Sequence, residues 1–497
     1  MPSAKWEINF FRFYKGLCLS VLIFFMVAGI VLAVLLPAGR SPDEEPHYTT
    51  AITNLNLLLG KEGTECSLLS EVIPTLFNGH STKQSFKDLS IMKSGCTKSR
   101  TYGWLLNYPS TIIAALVTPE ESTIPKMAVL HFYLSRIING IAICLLLYRI
   151  LCLQSNNHEL FRPGIATLFG LCLSPLFIQQ SFTVTADVPV NLFAIFLFGL
   201  MLFEERWNKW DWFSFAIVGI LACTSKPVIF PVILPFTLFS FLLRTDLLAP
   251  WKATAKKFLK SPNFWIGLAL TVLAIFVTLT QVGSDEGKPV NPGTNINEQL
   301  AYTKNHLWDV FGYLNDIVIY IVNKPEIFGP KTFIGYFDIG FTKFEFKFFE
   351  VAFAILLVSD FVLFWLTAKR NFLSMKTFGK SFVTRKGLVV GSFFLVCLFA
   401  SYVGVLLPII AMYLTWTKVG AQQVGGVQVR YFFCFLICIV GLVASYAYNQ
   451  QGQLPKAPGD DKTVDDVKTP AVLLSVLLIA LLPYLLGILF GIAKRYY

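Results

Sequence analysis

Apolar stretches long enough to cross a membrane recur along the whole chain. They lie near 16–37, 127–152, 163–182, 187–203, 212–225, 227–243, 263–282, 348–367, 388–414, 430–448 and 470–492. A helix needs about 20 such residues to cross roughly 30 Å of hydrocarbon, so the pattern predicts about eleven transmembrane helices. Lys5, Arg12 and Lys15 precede the first run, and Leu35-Leu36-Pro37 closes it without the small residues of a cleavage site. That combination predicts a retained helix with an inner N-terminus. Alternation from there places the basic connections "LLRTDLLAPWKATAKKFLK" and "AKRNFLSMKTFGKSFVTRK" inside, as the positive-inside rule requires.

The predicted architecture is an all-α polytopic membrane protein. Residues 1–37 form the inner N-terminus and first helix, 38–126 a first outer loop, and 127–282 helices two to seven. A second outer loop follows at 283–347, and 348–497 carries helices eight to eleven with a polar inner linker at 449–469. The outer loops have their own period. After Pro46, a residue suited to a first helical turn, Tyr48, Ala51, Ile52, Leu55, Leu58 and Leu59 recur at helical spacing and predict a helix lying along the membrane surface. In the second loop Asn295 or Asn297 is placed to cap a helix whose stripe is Leu300, Leu307, Val310, Phe311, Leu314 and Ile317.

Composition agrees with this layout. The 497 residues are 55% hydrophobic and only 14% charged, and the mean hydropathy of +0.61 excludes a soluble domain. The net charge of +11 would suggest nucleic acid in a soluble chain. Here the basic residues fall between apolar runs rather than along one face, so no nucleic-acid partner is implied. Eight of the ten cysteines lie in or beside predicted spans. Cys66 and Cys96 share the first outer loop, where an oxidising compartment would permit a bridge; two free thiols are the alternative.

Against so apolar a background the polar positions stand out. "PDEEPH" places Asp43, Glu44, Glu45 and His47 directly after the first span. "TVTADVPVN" places Asp187 and Asn191 between two tightly connected spans, "TSKPVIFP" places Lys226 at a span boundary, "IGYFDIG" carries Asp338, and "GGVQVRYFF" carries Arg430. The charge-derived topology puts all five landmarks on the outer face. Ionisable groups at such depth are costly enough to mark function.

The same residues carry a resemblance. "PDEEPH" resembles the Pro-Asp-Glu-x-x-His signature of a large family of bacterial multi-pass proteins of unknown function, similar to glycosyltransferases of the GT-C type. "TADVPVN", "SKP", "GYFD", "YLTWTKVG" and "GVQVRYF" follow that family's order, with Val429 standing where its pattern has glycine. The resemblance implies a GT-C-like bundle acting as a hexosyltransferase. It would move a sugar from a polyprenyl-phosphate carrier to a glycan or glycolipid acceptor at the outer face of the bacterial inner membrane, O-antigen glucosylation being one setting. On that pattern Asp43 is the base, with Glu44 beside it, since a poor hydroxyl nucleophile gains from a carboxylate that takes its proton. Arg430, Lys226 and Tyr431 would hold the donor phosphate. His47, Asp187, Asn191, Asp338, Trp416 and Gln428 would bind or orient substrate.

No cofactor is implied. Asp43 and His47, four apart, would be the ligands of a divalent metal if one were used, but Pro46 argues for a helix entered after Asp43. Two other classes stay open: a polymerase or ligase with a pyrophosphate-linked donor, and a lipid-linked sugar flippase or transporter, for which no internal repeat is seen.

Overall fold

The computed structural model describes residues 4–36, 44, 47–48, 113, 125–154, 162–245, 251–284, 293–323, 343–374, 385–422, 424, 429–449, 481–483 and 485–490. Among them all regular structure is helical. In chain order the helices are α1 (Ala4–Leu35), α2 (Pro125–Leu153), α3 (Ile165–Cys172), α4 (Pro175–Ser181), α5 (Asp187–Phe203), α6 (Lys209–Ser225) and α7 (Phe230–Arg244). There follow α8 (Trp251–Lys260), α9 (Pro262–Ser284), α10 (Ile296–Asn305), α11 (Leu307–Asn323), α12 (Lys343–Ser374), α13 (Arg385–Thr415) and α14 (Phe433–Asn449). Short 3₁₀ turns sit at Glu204–Arg206, Pro227–Ile229 and Val429–Phe432.

Among the described residues eight helices are long and apolar enough to span a membrane, fewer than the eleven runs predicted. The run 163–182 is broken. Pro175 has no N–H to return to the preceding turn, Ser174 is extended at ψ 130°, and the chain becomes two short helices, α3 and α4. The run 212–225 gives α6, only 17 residues long, which starts at a capping box formed by Asn208 and Asp211. Of the run 470–492, only 481–483 and 485–490 are described, and they are helical.

The most buried of the eight spans begins with α5, which is apolar on every side beyond Asn191 and therefore sits at the centre. It packs against α2, α4, α6, α7 and α14. The approach of α14 is so close that a Cβ on Gly441 would lie 3.1 Å from the Phe198 Cα and 2.6 Å from the Met201 Cε. Phe182, in the short loop between α4 and α5, is buried with its ring wedged between Gly29 of α1 and Gly140 of α2, where any larger residue would clash with it. That wedge fixes the loop that enters α5.

Helix direction gives the bundle two ends. The C-termini of α1, α4 and α6 meet the N-termini of α2, α5 and α7 at the end that carries Asp187. The opposite termini of α1, α2, α5, α6 and α7 lie at the end that carries Arg244. The second outer segment follows its prediction in part: Asn295 caps α10, accepting from Asn297 N (3.0 Å) and Glu298 N (3.3 Å). The helix then breaks at His306, so one predicted element becomes α10 and α11. Val310 and Leu314 of the predicted stripe are buried with Leu406, Ile409 and Tyr413 of α13, while Leu300, Leu307 and Phe311 face outward.

Candidate functional site

The residues after α1 are anchored by an arginine from α2. Glu44 is fully buried, and Arg136 holds it with a two-pronged grip, Nε donating to Oε1 at 2.8 Å and Nη2 to Oε2 at 2.5 Å. The other guanidinium nitrogen, Nη1, donates to the carbonyls of Ala33 (3.0 Å) and Leu36 (2.5 Å), which the end of α1 leaves without helical partners. Val184 N donates to the same carboxylate at 3.2 Å, and the guanidinium lies 4.5 Å from the Phe132 ring centre. One side chain thus joins α1, α2, the residue after Asp43 and the loop entering α5. Tyr48 is buried beside it, its hydroxyl paired with His131 Nδ1.

A second group lies at the same end. Lys226 stands at the break between α6 and the Pro227–Ile229 turn, where its backbone N–H closes α6 on Ala222 and its side chain is free to turn inward. Its ammonium donates to Asp187 Oδ1 at 2.5 Å, and the other carboxylate oxygen lies 3.5 Å from Arg430 Nε. Tyr431 provides the floor: its ring centre is 3.8 Å from Lys226 Nζ and 5.3 Å from the Arg430 guanidinium carbon. His47 is buried within electrostatic reach of Asp187. Four segments far apart in sequence therefore converge on one carboxylate. Two cations on one carboxylate, over an aromatic ring and shielded from water, form an arrangement suited to gripping an anion.

The carboxylates at the other end do different work. Asp360 of α12 accepts from Gly164 N (3.0 Å), Thr167 N (2.6 Å) and Thr167 Oγ1 (2.5 Å), and also from the Tyr14 hydroxyl. It closes the start of α3, where Gly164 turns with φ +93° and carries no side chain to cap the helix itself. Arg162 pairs with Glu205, and Arg244 reaches Glu204 and Glu205 at 3.2 Å each.

Of the residues expected from sequence, Asp187, Lys226, Arg430 and Tyr431 are brought together, with His47 beside them. Asn191 is buried one turn along α5 from Asp187. Trp416 is half exposed just after α13. Glu44, expected beside the base, is held by both prongs of Arg136 and by a backbone N–H, so its carboxylate ties α2 to the loop entering α5. Its helical backbone, with that of His47 and Tyr48, also places helix ahead of Pro46. Asp43, Asp338, Gln428, Cys66 and Cys96 lie outside the described residues. Sequence reasoning missed Arg136 and Asp360. Each is an ionisable residue inside a predicted span, in "LSRIING" and "LVSDFV", and that position alone was the signal.

The family model described as "Predicted membrane protein (DUF2142)" matches residues 122–439, more than half of the chain. The matched region contains Arg136, Asp187, Asn191, Lys226 and Arg430, and leaves Asp43, Glu44 and His47 ahead of it. No curated protein and no solved structure matches the chain.

Proposed function

Because the chain belongs to the membrane-protein family DUF2142, we propose from its buried polar site that it is a membrane glycosyltransferase of the GT-C type. It takes a sugar from a polyprenyl-phosphate carrier and delivers it to a glycan or glycolipid acceptor at the Asp187 end of the bundle, which faces the outside of the bacterial inner membrane. The observation that carries this reading is the convergence of Lys226 and Arg430 on Asp187 over Tyr431. A phosphate leaving group gains charge as its glycosidic bond breaks, and it needs preorganised cations rather than a general acid. At a helix end near the membrane surface, those cations can meet a phosphate whose lipid tail stays between helices.

The remaining chemistry falls to Asp43. The acceptor hydroxyl must lose a proton, and Asp43 directly precedes Glu44, which Arg136 holds. Asp43 then accepts that proton as the hydroxyl attacks the sugar carbon, and the bond to the phosphate oxygen breaks. No metal or cofactor enters this scheme.

The test uses the purified full chain, a polyprenyl-monophosphate hexose and a lipopolysaccharide-type acceptor, with product read by mass spectrometry. Asp43→Asn should abolish transfer. Arg430→Lys should lower turnover about 10²–10³-fold at saturating donor, because an ammonium cannot reproduce a guanidinium fork. Full turnover in Asp43→Asn removes the base. Transfer from a pyrophosphate-linked donor alone would favour a polymerase or ligase, and lipid-linked sugar movement without acceptor would favour a flippase.

A further inference from the structure

Among the described residues, three buried polar groups at the Asp187 end have no hydrogen-bond partner: Gln180 Nε2, Asn191 Nδ2 and Ser225 Oγ. None of these residues is more than 3% exposed. Leaving such a group buried and unpaired costs about 1–3 kcal/mol, so native proteins rarely do it without a reason. The ordinary fate of a hydroxyl in an apolar helix is to donate back to the carbonyl four residues earlier. Ser20, Ser135, Ser181 and Thr224 all do so in this protein, at 2.7 to 2.9 Å. Ser225, the very next residue, does not. The carbonyl it would use, on Leu221, already lies 3.2 Å from the Thr224 hydroxyl.

The three groups come from three helices, and each is tied to one member of the ion cluster. Ser225 ends α6 and directly precedes Lys226. Asn191 lies one turn beyond Asp187 on α5, and therefore on the same side of that helix. Gln180 lies near the end of α4, which packs against the Val429–Phe432 turn that carries Arg430. Its Oε1 is engaged by the Thr185 hydroxyl at 3.3 Å, which holds the amide so that Nε2 is the end left over. Two of the three are amide N–H donors and the third is a hydroxyl that can donate, so what they lack is an acceptor with several lone pairs.

We propose that Ser225, Asn191 and Gln180 are the neutral donors of a phosphate-monoester pocket whose charged side is Lys226 and Arg430. A phosphate monoester carries three terminal oxygens directed away from one centre, so it can accept from donors on three helices while it also meets the two cations. Neutral donors hold a phosphate without adding charge, so the bound anion is gripped by geometry as well as by the cations. The inference rests on the transferase reading for the lipid it names, but it requires only a phosphate and no sugar.

The decisive experiment measures binding without turnover. Full-length protein in detergent is titrated with polyprenyl monophosphate, with inorganic phosphate as competitor and the corresponding polyprenol as the phosphate-free control. Ser225→Ala and Asn191→Leu should each weaken polyprenyl monophosphate about 10-fold or more, the usual worth of a hydrogen bond to a charged group, and leave polyprenol binding unchanged. The melting temperature of Ser225→Ala should not fall, because the hydroxyl it removes has no partner among the described residues. Competition by inorganic phosphate would show that the pocket takes the free anion; competition only by the lipid phosphate would show that it needs the tail. Wild-type affinity in both variants, or no phosphate binding by the wild type, overturns the pocket. Phosphate binding that depends on Ser225 in a protein that transfers no sugar keeps the pocket and discards the transferase. Undiminished sugar transfer by both variants does the reverse. Ser225→Ala, the smaller change, decides the matter if Asn191→Leu fails to fold.

Discussion

The two ends of the bundle use charge in opposite ways. At the Arg244 end the arginines stitch helix termini together: Arg149 holds Asp211 with two bonds of 2.9 and 2.7 Å, Arg244 straddles Glu204 and Glu205, and Arg206 donates to the Leu153 carbonyl. These pairs sit at the rim, and Glu205 keeps 43% of its side chain exposed. At the Asp187 end the Glu44–Arg136 pair is sealed from solvent at 0% and 1%, and Asp187 with Arg430 is nearly so. A rim pair needs no explanation beyond closing a helix. A sealed one costs several kcal/mol of desolvation per ion, which hydrophobic side chains would avoid. Water around the rim also screens those pairs, whereas the sealed charges act at full strength on anything that enters. The contrast is what the proposed assignment of the Asp187 end as the working one draws on.

If that contrast is right, breaking a pair should hurt most where it is sealed. Arg136→Met leaves Glu44 buried and uncompensated and should cost about 3–5 kcal/mol. That would be read as a large drop in melting temperature in detergent, and the double change with Glu44→Met should restore most of it. A wild-type melting temperature in Arg136→Met would erase the difference between the two ends. The wedge beneath the same site comes next. Gly140→Ala places a methyl against the Phe182 ring and should cost about 1–3 kcal/mol, shifting the loop that carries Val184. Donor affinity should fall with it. Glu205→Gln, at the rim, should cost no more than about 1 kcal/mol, and high salt should shrink even that. A loss there as large as that of Arg136→Met would make the rim pairs structural in the same sense as the sealed one.

Much of this was legible along the chain, and what escaped did so for physical reasons. The spans follow from transfer energetics that depend on little besides composition, and Asn295 announces its cap through local chemistry. The gathering of Asp187, Lys226 and Arg430 at one end follows from alternation alone, although their contact does not. The break at Pro175 lay hidden because apolar residues continue on both sides of it, and hydropathy does not register a missing N–H. Arg136 was passed over because it lies ten residues beyond Lys126, where a basic residue reads as a mark of topology. Its partner is 92 positions away, a distance over which no periodicity carries information. The partner of Glu44 escaped for the same reason, since its neighbours in sequence are acidic and its neighbour in space is not.

The grip of Arg136 on the last carbonyls of α1 also sets an order of events during synthesis. When α1 leaves the ribosome, the Ala33 and Leu36 carbonyls have no donor, and when α2 follows, its guanidinium must meet those carbonyls and Glu44 to leave water. Neither helix is comfortable in lipid alone, and each supplies what the other lacks. The pair therefore gains by settling together as a hairpin. The residue that holds the mature site in place is thus also the one that makes the first two helices wait for each other.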